Sequence, residues 1–370
     1  MSEIKGYFNG RQENDTNAAS IFVGIEGETS DTIIPNIADF LQAAGRDYGI
    51  LRAPALINDP FGGVDEEGNI VPAVREVEVP GAAAGKDGKS DKRQFHLMRN
   101  SDGHVVSPHT VTGQYAPLTL LDIAAEIQPW CDDGWVTPDA VYDGKDGSLE
   151  LLCLRMDASG NLPNGEAWEH YIVFRNPHGS GGKAKGTIVS YRPMCQNVFG
   201  SLGRGIEFVV GHRISAKMTD EERADAMAKR VRTAKAAWKT AEKHIADLAK
   251  RINVWSGSTI SFADAETLTN ALLDIRADKD PSTRTKNVRD AILAGFSMPK
   301  FGTYGATLYD WLNAVTFSLS SPNCDIVSKS KVTTIDRMIR NVDPNGSGYK
   351  VEAKAESLLA RWIDNGGNLN

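Results

Sequence analysis

Cysteine is scarce in this chain: 370 residues carry four, Cys131, Cys153, Cys195 and Cys324, with no C-x-x-C pair among them. That spacing argues against a structural zinc and against the disulfide framework of small secreted domains, so all four read as reduced thiols. Long apolar runs are missing as well. Nothing approaches the roughly 18 residues of a membrane span, and the opening MSEIKGYFNGRQENDTN is too polar for a signal peptide. The expectation is a soluble cytoplasmic protein with no membrane partner.

Metal motifs are equally thin. His96, His104 and His109 lie close together, but no H-E-x-x-H and no cysteine–histidine spacing occurs. The acidic run CDDGWVTPDAVYDGKDG lacks the periodicity of a calcium loop and reads as acidic turns. NPHGSGGKAKG is glycine-rich, yet Pro177 stands where Walker A needs its first glycine and Ala184 where it needs a hydroxyl. What remains is a loop with two cations, Lys183 and Lys185. No cofactor follows from the sequence.

What the chain does have is an uneven distribution of charge. The net charge is −7, but residues 1–174 hold 12 Lys/Arg against 28 Asp/Glu, whereas Arg175 to Arg251 hold 16 against 7. From Arg175 to Lys217 the only acid is Glu207. A basic centre inside an acidic protein points to a polyanionic partner; a charged helix face in water is the plainer alternative.

The length allows two or three packed subdomains. Three regions are expected: an acidic N-terminal part, 1–92, closing on an exposed loop at 80–92; an α+β core, 93–255; and a helical part, 256–370. DTIIPNIADFLQAAG reads as a short helix capped by Asp31 or Asn36 and ended by Gly45, and YGILRAPALI as a strand. QFHLMRN, GHVVS and LTLLDIAAEIQPW give strand, strand and helix, with a turn at Ser101 to Gly103. LELLCLRM, AWEHYIVFRN and GTIVSYRP read as three strands of one antiparallel sheet, followed by IEFVVGHR. The fold class is α+β, antiparallel sheet packed by helices.

Thr219-Asp220-Glu221-Glu222 is a capping box opening a helix to about Trp255. Met227, Val231, Ala234, Trp238, Ala241, Ile245, Leu248, Ile252 and Trp255 alternate spacings of four and three along it, a heptad stripe. The stripe packs either within the chain or as a seam between subunits, and Arg232, Lys235, Lys239 and Lys243 flank it. DAETLTNALLDIRAD, TKNVRDAILAGF, GATLYDWLNAVTFSLS and KVEAKAESLLARWIDNGG read as shorter helices.

Two chemistries compete for VSYRPMCQNVFGSLGRG. A catalytic Cys195 would need a base or cation, and His178, His212 and Arg192 are the candidates; no pattern assigns one, and the small apolar thiol suits a core. Nucleic-acid binding uses more of the residues. Arg175, Lys183, Lys185, Arg192, Arg204, Arg213 and Lys217 form a nearly acid-free series interleaved with Tyr171, Phe174, Tyr191 and Phe199, some of which must face a core. Cations neutralise phosphates and aromatic faces stack on unpaired bases. Asn176, Gln196 and Asn197 add hydrogen-bonding capacity.

RNPHG, SYRPMCQNVFGSL and GHR ahead of a long helix resemble the phage/plasmid-like family labelled domain of unknown function 932. YGILRAPALI and LMRNSDGHVVSPHTVTGQYAPLTLLDIAAEI extend the resemblance over roughly residues 30–250. It reaches Tyr115, Arg175, Asn176, His178, Gly179, Arg192, Cys195, Gln196, Asn197 and His212. Pro177 departs from the family's small polar residue, the aspartate after His178 is absent, and Val-Phe rather than Thr-Leu follows Asn197. The resemblance implies a phage or plasmid setting, and the element order is similar to single-strand annealing proteins of the Sak and Erf kind.

The leading expectation is therefore a non-enzymatic, homo-oligomeric protein, ring or filament, that binds and anneals single-stranded DNA in phage recombination within the bacterial host. Its binding residues would be Arg175, Asn176, His178, Lys183, Lys185, Tyr191, Arg192, Gln196, Asn197, Phe199, Arg204, Arg213 and Lys217. The alternatives are an enzyme on nucleotides or nucleic acid, in defence evasion, using Cys195, His178 and His212, and an assembly protein built on the heptad helix.

Overall fold

The computed structural model describes residues 5–9, 27–30, 32–48, 50–54, 56–64, 70–76, 94–106, 110–144, 149–157, 160–161, 167–179, 182–192, 197–199, 207–212, 214, 218–236, 241–276, 278–297, 306–320, 340–341 and 346–369. Within them fourteen strands and eight helices form an α+β fold.

The three expected strands are the middle of a nine-stranded sheet. They are β9 (Leu149–Met156), β11 (Ala167–Pro177) and β12 (Lys183–Arg192), paired antiparallel in the order β9-β11-β12. Beyond β9 come β8 (Val136–Gly144), β1 (Lys5–Phe8) and β2 (Gly27–Thr29), the last parallel to β1. β10 (Gly160–Asn161) pairs with β11, while β13 (Asn197–Phe199) and β14 (Glu207–Gly211) both pair with β12, at opposite ends of it. Both faces of β9 and β11 are covered, which is why LELLCLRM and YIVF read as unbroken apolar runs rather than alternating ones.

Three local readings are corrected. The acidic run thought to form turns contains β8; Pro138 hides it, and a bulge between Pro138 and Ala140 absorbs that proline. The glycine-rich loop is shorter than expected, because Lys183 and Lys185 already stand on β12. GHVVS forms only a single bridge, Val105 to Met98, although Val106 is buried.

A three-stranded sheet, β3 (Ile50–Pro54), β6 (Gln94–Arg99) and β7 (Val111–Thr112), encloses a small core of Tyr48, Ile50, Phe95, Leu97, Val106, Val111 and Tyr115. The pair β4 (Leu56–Val64) and β5 (Ile70–Glu76) forms a separate ribbon. The loop expected at 80–92 lies outside the described residues.

On the main sheet α1 (Ile37–Ala43), α2 (Leu120–Asp132) and α3 (Asp220–Ala236) close one apolar core with Leu152, Leu154, Ile172, Phe174, Ile188 and Phe208. Asn36 caps α1, accepting from the Asp39 N–H at 3.1 Å, and Gly45 ends it at φ +64°. Thr219 opens α3 as the capping box foretold: its N–H donates to Glu222 Oε2 at 2.7 Å and its Oγ1 accepts from the Glu222 N–H at 3.2 Å.

A second core belongs to the helices that follow: α4 (Ala241–Gly257), α5 (Phe262–Leu272), α6 (Thr283–Phe296), α7 (Leu308–Ser320) and α8 (Ser347–Asp364). Of the heptad stripe, the five residues whose side chains are described divide between the two cores. Met227 and Val231 on α3 pack into the first, and Leu248, Ile252 and Trp255 on α4 into the second, all buried by this chain itself. Residues 237–240, over which one continuous helix was expected, lie outside the described residues. No helix among the described residues is long and apolar enough to cross a membrane.

Candidate nucleic-acid interface and an adjoining pocket

Strand register sorts the predicted residues. Arg175 on β11 lies opposite Lys185 on β12, Lys185 lies opposite Val209 on β14, and Lys183 lies opposite Gly211. Side chains alternate along a strand, so Arg175, Lys183, Lys185 and Val209 share one face of the sheet. Lys183 is exposed, Arg175 and Lys185 are half-buried, and Val209 is 39% exposed, a solvent-facing patch at the β12–β14 edge. For Tyr191, Arg192, Asn197 and Phe199 the description stops at the backbone, where Tyr191 pairs with Val198, Arg192 with Asn197 and Ser190 with Phe199. Gln196, Arg204, Arg213 and Lys217 lie outside the described residues, as does Cys195.

Two of the interleaved aromatics serve the core instead. Tyr171 and Phe174 are 1% exposed; Phe174 meets Phe208 edge-on at 5.3 Å, and the Tyr171 hydroxyl donates to Glu169 at 2.6 Å. Neither is available to stack on a base.

Asn176 and His178, expected on the binding surface, are corrected as well: they are 0% and 4% exposed. Asn176 follows Arg175 and so points to the opposite, core-facing side, directly across from Glu150 on β9. Glu150 is 1% exposed and collects three partners. Tyr48 Oη donates to its Oε1 at 2.6 Å; His178 Nε2 at 2.8 Å and Asn176 Nδ2 at 3.1 Å reach Oε2. Asn176 Nδ2 also donates to the Leu118 carbonyl at 2.8 Å. Burial alone would raise the Glu150 pKa, but the charge and hydrogen bond of His178, with the hydrogen bonds from Tyr48 and Asn176, outweigh it and hold the carboxyl below its ordinary value. The carboxylate ties the small sheet to the large one.

Above this cluster the segments 114–116 and 212–214 are joined, the Ala116 N–H donating to His212 O at 2.7 Å and the Ile214 N–H to Gln114 O at 2.8 Å. Tyr115 and His212 stack, with ring centroids 4.9 Å apart and planes within 7°. The Gly179 N–H donates to the Tyr115 hydroxyl at 3.5 Å. Burial raises the phenol's pKa, against the lowering effect of that N–H and with a further push from Glu150. His212 is pushed down to about 4 by burial, opposed by its bond to Ala116 O and assisted by the neighbouring His178 and Arg230 charges. A carbonyl only accepts, so Nδ1 carries the proton in the 3.2 Å contact with Ala116 O, and Nε2 is left as an acceptor. His212 Nε2 and His178 Nδ1 are buried and have no partner among the described residues.

A cavity of about 490 Å³ opens beside these rings; the described residues that line it are Tyr115, His212, Lys183, Gln114, Thr110 and Thr112, with Val111, Gly179, Gly182 and Gly211. It lies at the Lys183–Gly211 end of the basic face, two register steps beyond the Lys185–Val209 pair. Sequence reasoning offered His178, His212 and Arg192 as candidate partners of a catalytic Cys195, without assigning one, and gave Glu150 and Tyr48 no role. A glutamate inside the apolar strand LELLCLRM was the one available signal for Glu150; nothing local marked Tyr48, 102 residues away from its partner.

Among the described residues no group of histidine, cysteine, aspartate and glutamate is placed to hold a metal ion. Cys131, half-buried, has its pKa pushed up to about 12 by burial and by Asp132, and Cys153 is buried in the sheet, so neither thiol is poised to react. A scan against protein-family models, a search of curated proteins and a search of solved structures each find no match to this chain.

Proposed function

We propose that this protein binds single-stranded DNA through the face of the main sheet that carries Arg175, Lys183 and Lys185, and that it acts as an oligomer to present that strand for annealing. The observation that supports the reading is the placement of three cations on adjacent strands of one face, next to an exposed valine. Sequence separation alone would not have put Arg175 beside Lys185, which lie across a β-hairpin in direct register. The phage or plasmid setting implied by the family resemblance accords with a role in recombination.

The cations would hold phosphates without regard to sequence, and the strand would lie along the β12–β14 edge. Fluorescence anisotropy with labelled oligonucleotides tests this. Three phosphate contacts predict a fall of log K with log salt of slope roughly −2 for a single strand. Lys183→Ala, Lys185→Ala and Arg175→Ala should each weaken binding and flatten that slope by about 0.7. Absence of binding at low salt, or an affinity indifferent to salt, overturns the reading. Light scattering with and without the oligonucleotide tests the oligomer.

An enzyme acting on nucleotides is the second reading, favoured by the His178–Glu150 pair lying beneath a cavity that His212 lines. In that reading Cys195→Ala abolishes turnover; full turnover in the variant removes the thiol from the mechanism.

A further inference from the structure

The geometry points to the Tyr115–His212 cavity as a receptacle for one unstacked nucleobase of the bound strand, an inference that rests on the strand-binding reading and gives it a second element. Its size comes first. A volume of about 490 Å³ falls within the roughly 300–1,000 Å³ of small-ligand pockets, enough for a base with its sugar.

Its walls suit a flat, partly polar guest. Tyr115 and His212 supply aromatic surface held rigid by their mutual stacking and by the two backbone bonds joining 114–116 to 212–214. His212 Nε2 is a buried acceptor with no partner among the described residues, in a side chain whose residue is 3% exposed. An acceptor left unsatisfied in a buried ring costs stability unless a donor reaches it. Every nucleobase carries an N–H that can serve: the exocyclic amines of adenine, cytosine and guanine, or the imino N–H of thymine.

The glycines lining the cavity divide into two kinds. A Cβ at Gly182 would stand 2.3 Å from Pro177 Cγ, so packing alone forbids a side chain there. At Gly211 a Cβ would meet nothing within 4 Å among the described residues, and the backbone is not in the left-handed region. No steric rule excludes a side chain at 211; what its absence does is leave the cavity open. Gly211 is also the register partner of Lys183, the outermost described cation of the basic face. A phosphate held by Lys183 therefore has the cavity next to it, and the attached base can turn in.

The experiment compares an ordinary single-stranded oligonucleotide with a fully abasic one of the same length and charge, by anisotropy at matched salt. The expected result is that the unaltered protein prefers the base-bearing strand roughly tenfold or more, with the same salt slope for both. Gly211→Val, a β-branched residue in a strand position with room for it, should erase most of that preference while the salt slope stays. His212→Phe keeps an aromatic ring and removes the acceptor, and should erase part of it.

Equal affinity of the two strands for the unaltered protein overturns the inference and leaves phosphate binding standing. So does an undiminished preference in both folded variants, which would place base contacts elsewhere. If neither strand binds, the strand-binding reading itself fails. The comparison on the unaltered protein does not depend on any variant folding.

Discussion

Buried polar groups in the two cores of this protein differ in how far they reach. In the helical region the buried hydroxyls of three residues are satisfied nearby: Thr316 Oγ1 donates to Leu312 O at 3.2 Å, Ser318 Oγ to Ala314 O at 2.9 Å, and Thr269 Oγ1 to Ala265 O at 2.7 Å, all within one turn. In the α+β region buried polar groups reach across the chain. Glu150 is held by Tyr48 and His178, His212 by Ala116, and Gly113 O accepts from both Arg52 and Arg223. Local satisfaction makes a helix a self-contained unit. Long-range satisfaction makes the junction of two sheets a single cooperative object, at which the cavity sits.

The first way to break this contrast is to remove its centre. Glu150→Ala leaves the Tyr48 hydroxyl and His178 Nε2 without their acceptor in a site that water does not reach. Truncating one partner of a buried charged pair costs about 3–5 kcal/mol, so the denaturant midpoint should fall steeply. If Glu150→Ala lowers stability no more than removing a single hydroxyl from the helical core, the junction is not what ties the sheets together.

Acid offers a gentler probe of the same contrast. Burial depresses the pKa of His170, which lies 2.9 Å from Ser190 Oγ, and of His212, each to about 4 from 6.5. The unfolded chain therefore binds protons that the folded one refuses between these values, and stability rises with pH across that window. Their contribution is complete above about 6.5 and is lost as pH falls toward 4, on the order of a few kcal/mol for the pair. Glu150, depressed in the same direction, adds its loss at the acid end. The helical core begins at Leu248 and contains no histidine after that point. Hydrogen exchange at pH 7 and pH 5, corrected for intrinsic rates, should show protection falling in β11, β12 and β14 while α5 to α8 keep theirs. Equal losses in both regions would contradict it.

The contrast also explains what could be read in advance. Helices α5 to α8 and the caps at Asn36 and Thr219 follow from spacings of three and four residues, and each was legible in the chain. So were β9, β11 and β12, because their apolar runs are long. β8 was not, since Pro138, Asp139 and Asp143 broke its apolar character and the bulge that accommodates them is a property of the sheet. The site was legible only in part. Arg175, Lys183 and Lys185 were picked out by charge, but a one-residue alternation sends Asn176 to the opposite face, and no count of cations reveals that. His178 entered the binding set through the family resemblance, and its partner Glu150, 28 residues earlier on another strand, gave no local sign that the ring is buried.

Among the described residues the helical core also has long-range polar contacts of comparable depth, the shortest being Trp311 Nε1 donating to Thr269 Oγ1 at 3.0 Å. Thr269→Val keeps the shape and removes the acceptor, leaving the indole N–H unpaired. The expected cost is about 1–3 kcal/mol by denaturation, smaller than at Glu150 because no charge is stranded. A loss as large as that of Glu150→Ala would mean that the helical core is no less dependent on distant partners.

The smallest effects should be equal in the two regions, and that equality is the sharpest form of the comparison. Thr119 opens α2 in the α+β region and Ser261 opens α5 in the helical region, each in a capping box completed by an aspartate, Asp122 and Asp264. The bonds match closely: the aspartate N–H reaches the cap oxygen at 3.1 Å in one and 3.2 Å in the other, and the cap N–H reaches the carboxylate at 2.7 Å and 2.8 Å. Thr119→Ala and Ser261→Ala should therefore each cost about 1 kcal/mol. Thr119 is the more buried of the two, so any excess at Thr119 over Ser261 measures the packing of its methyl group rather than the cap. If both caps cost the same while Glu150→Ala and Thr269→Val differ by severalfold, the two regions obey one set of local rules. Only the reach of their buried polar contacts then sets them apart.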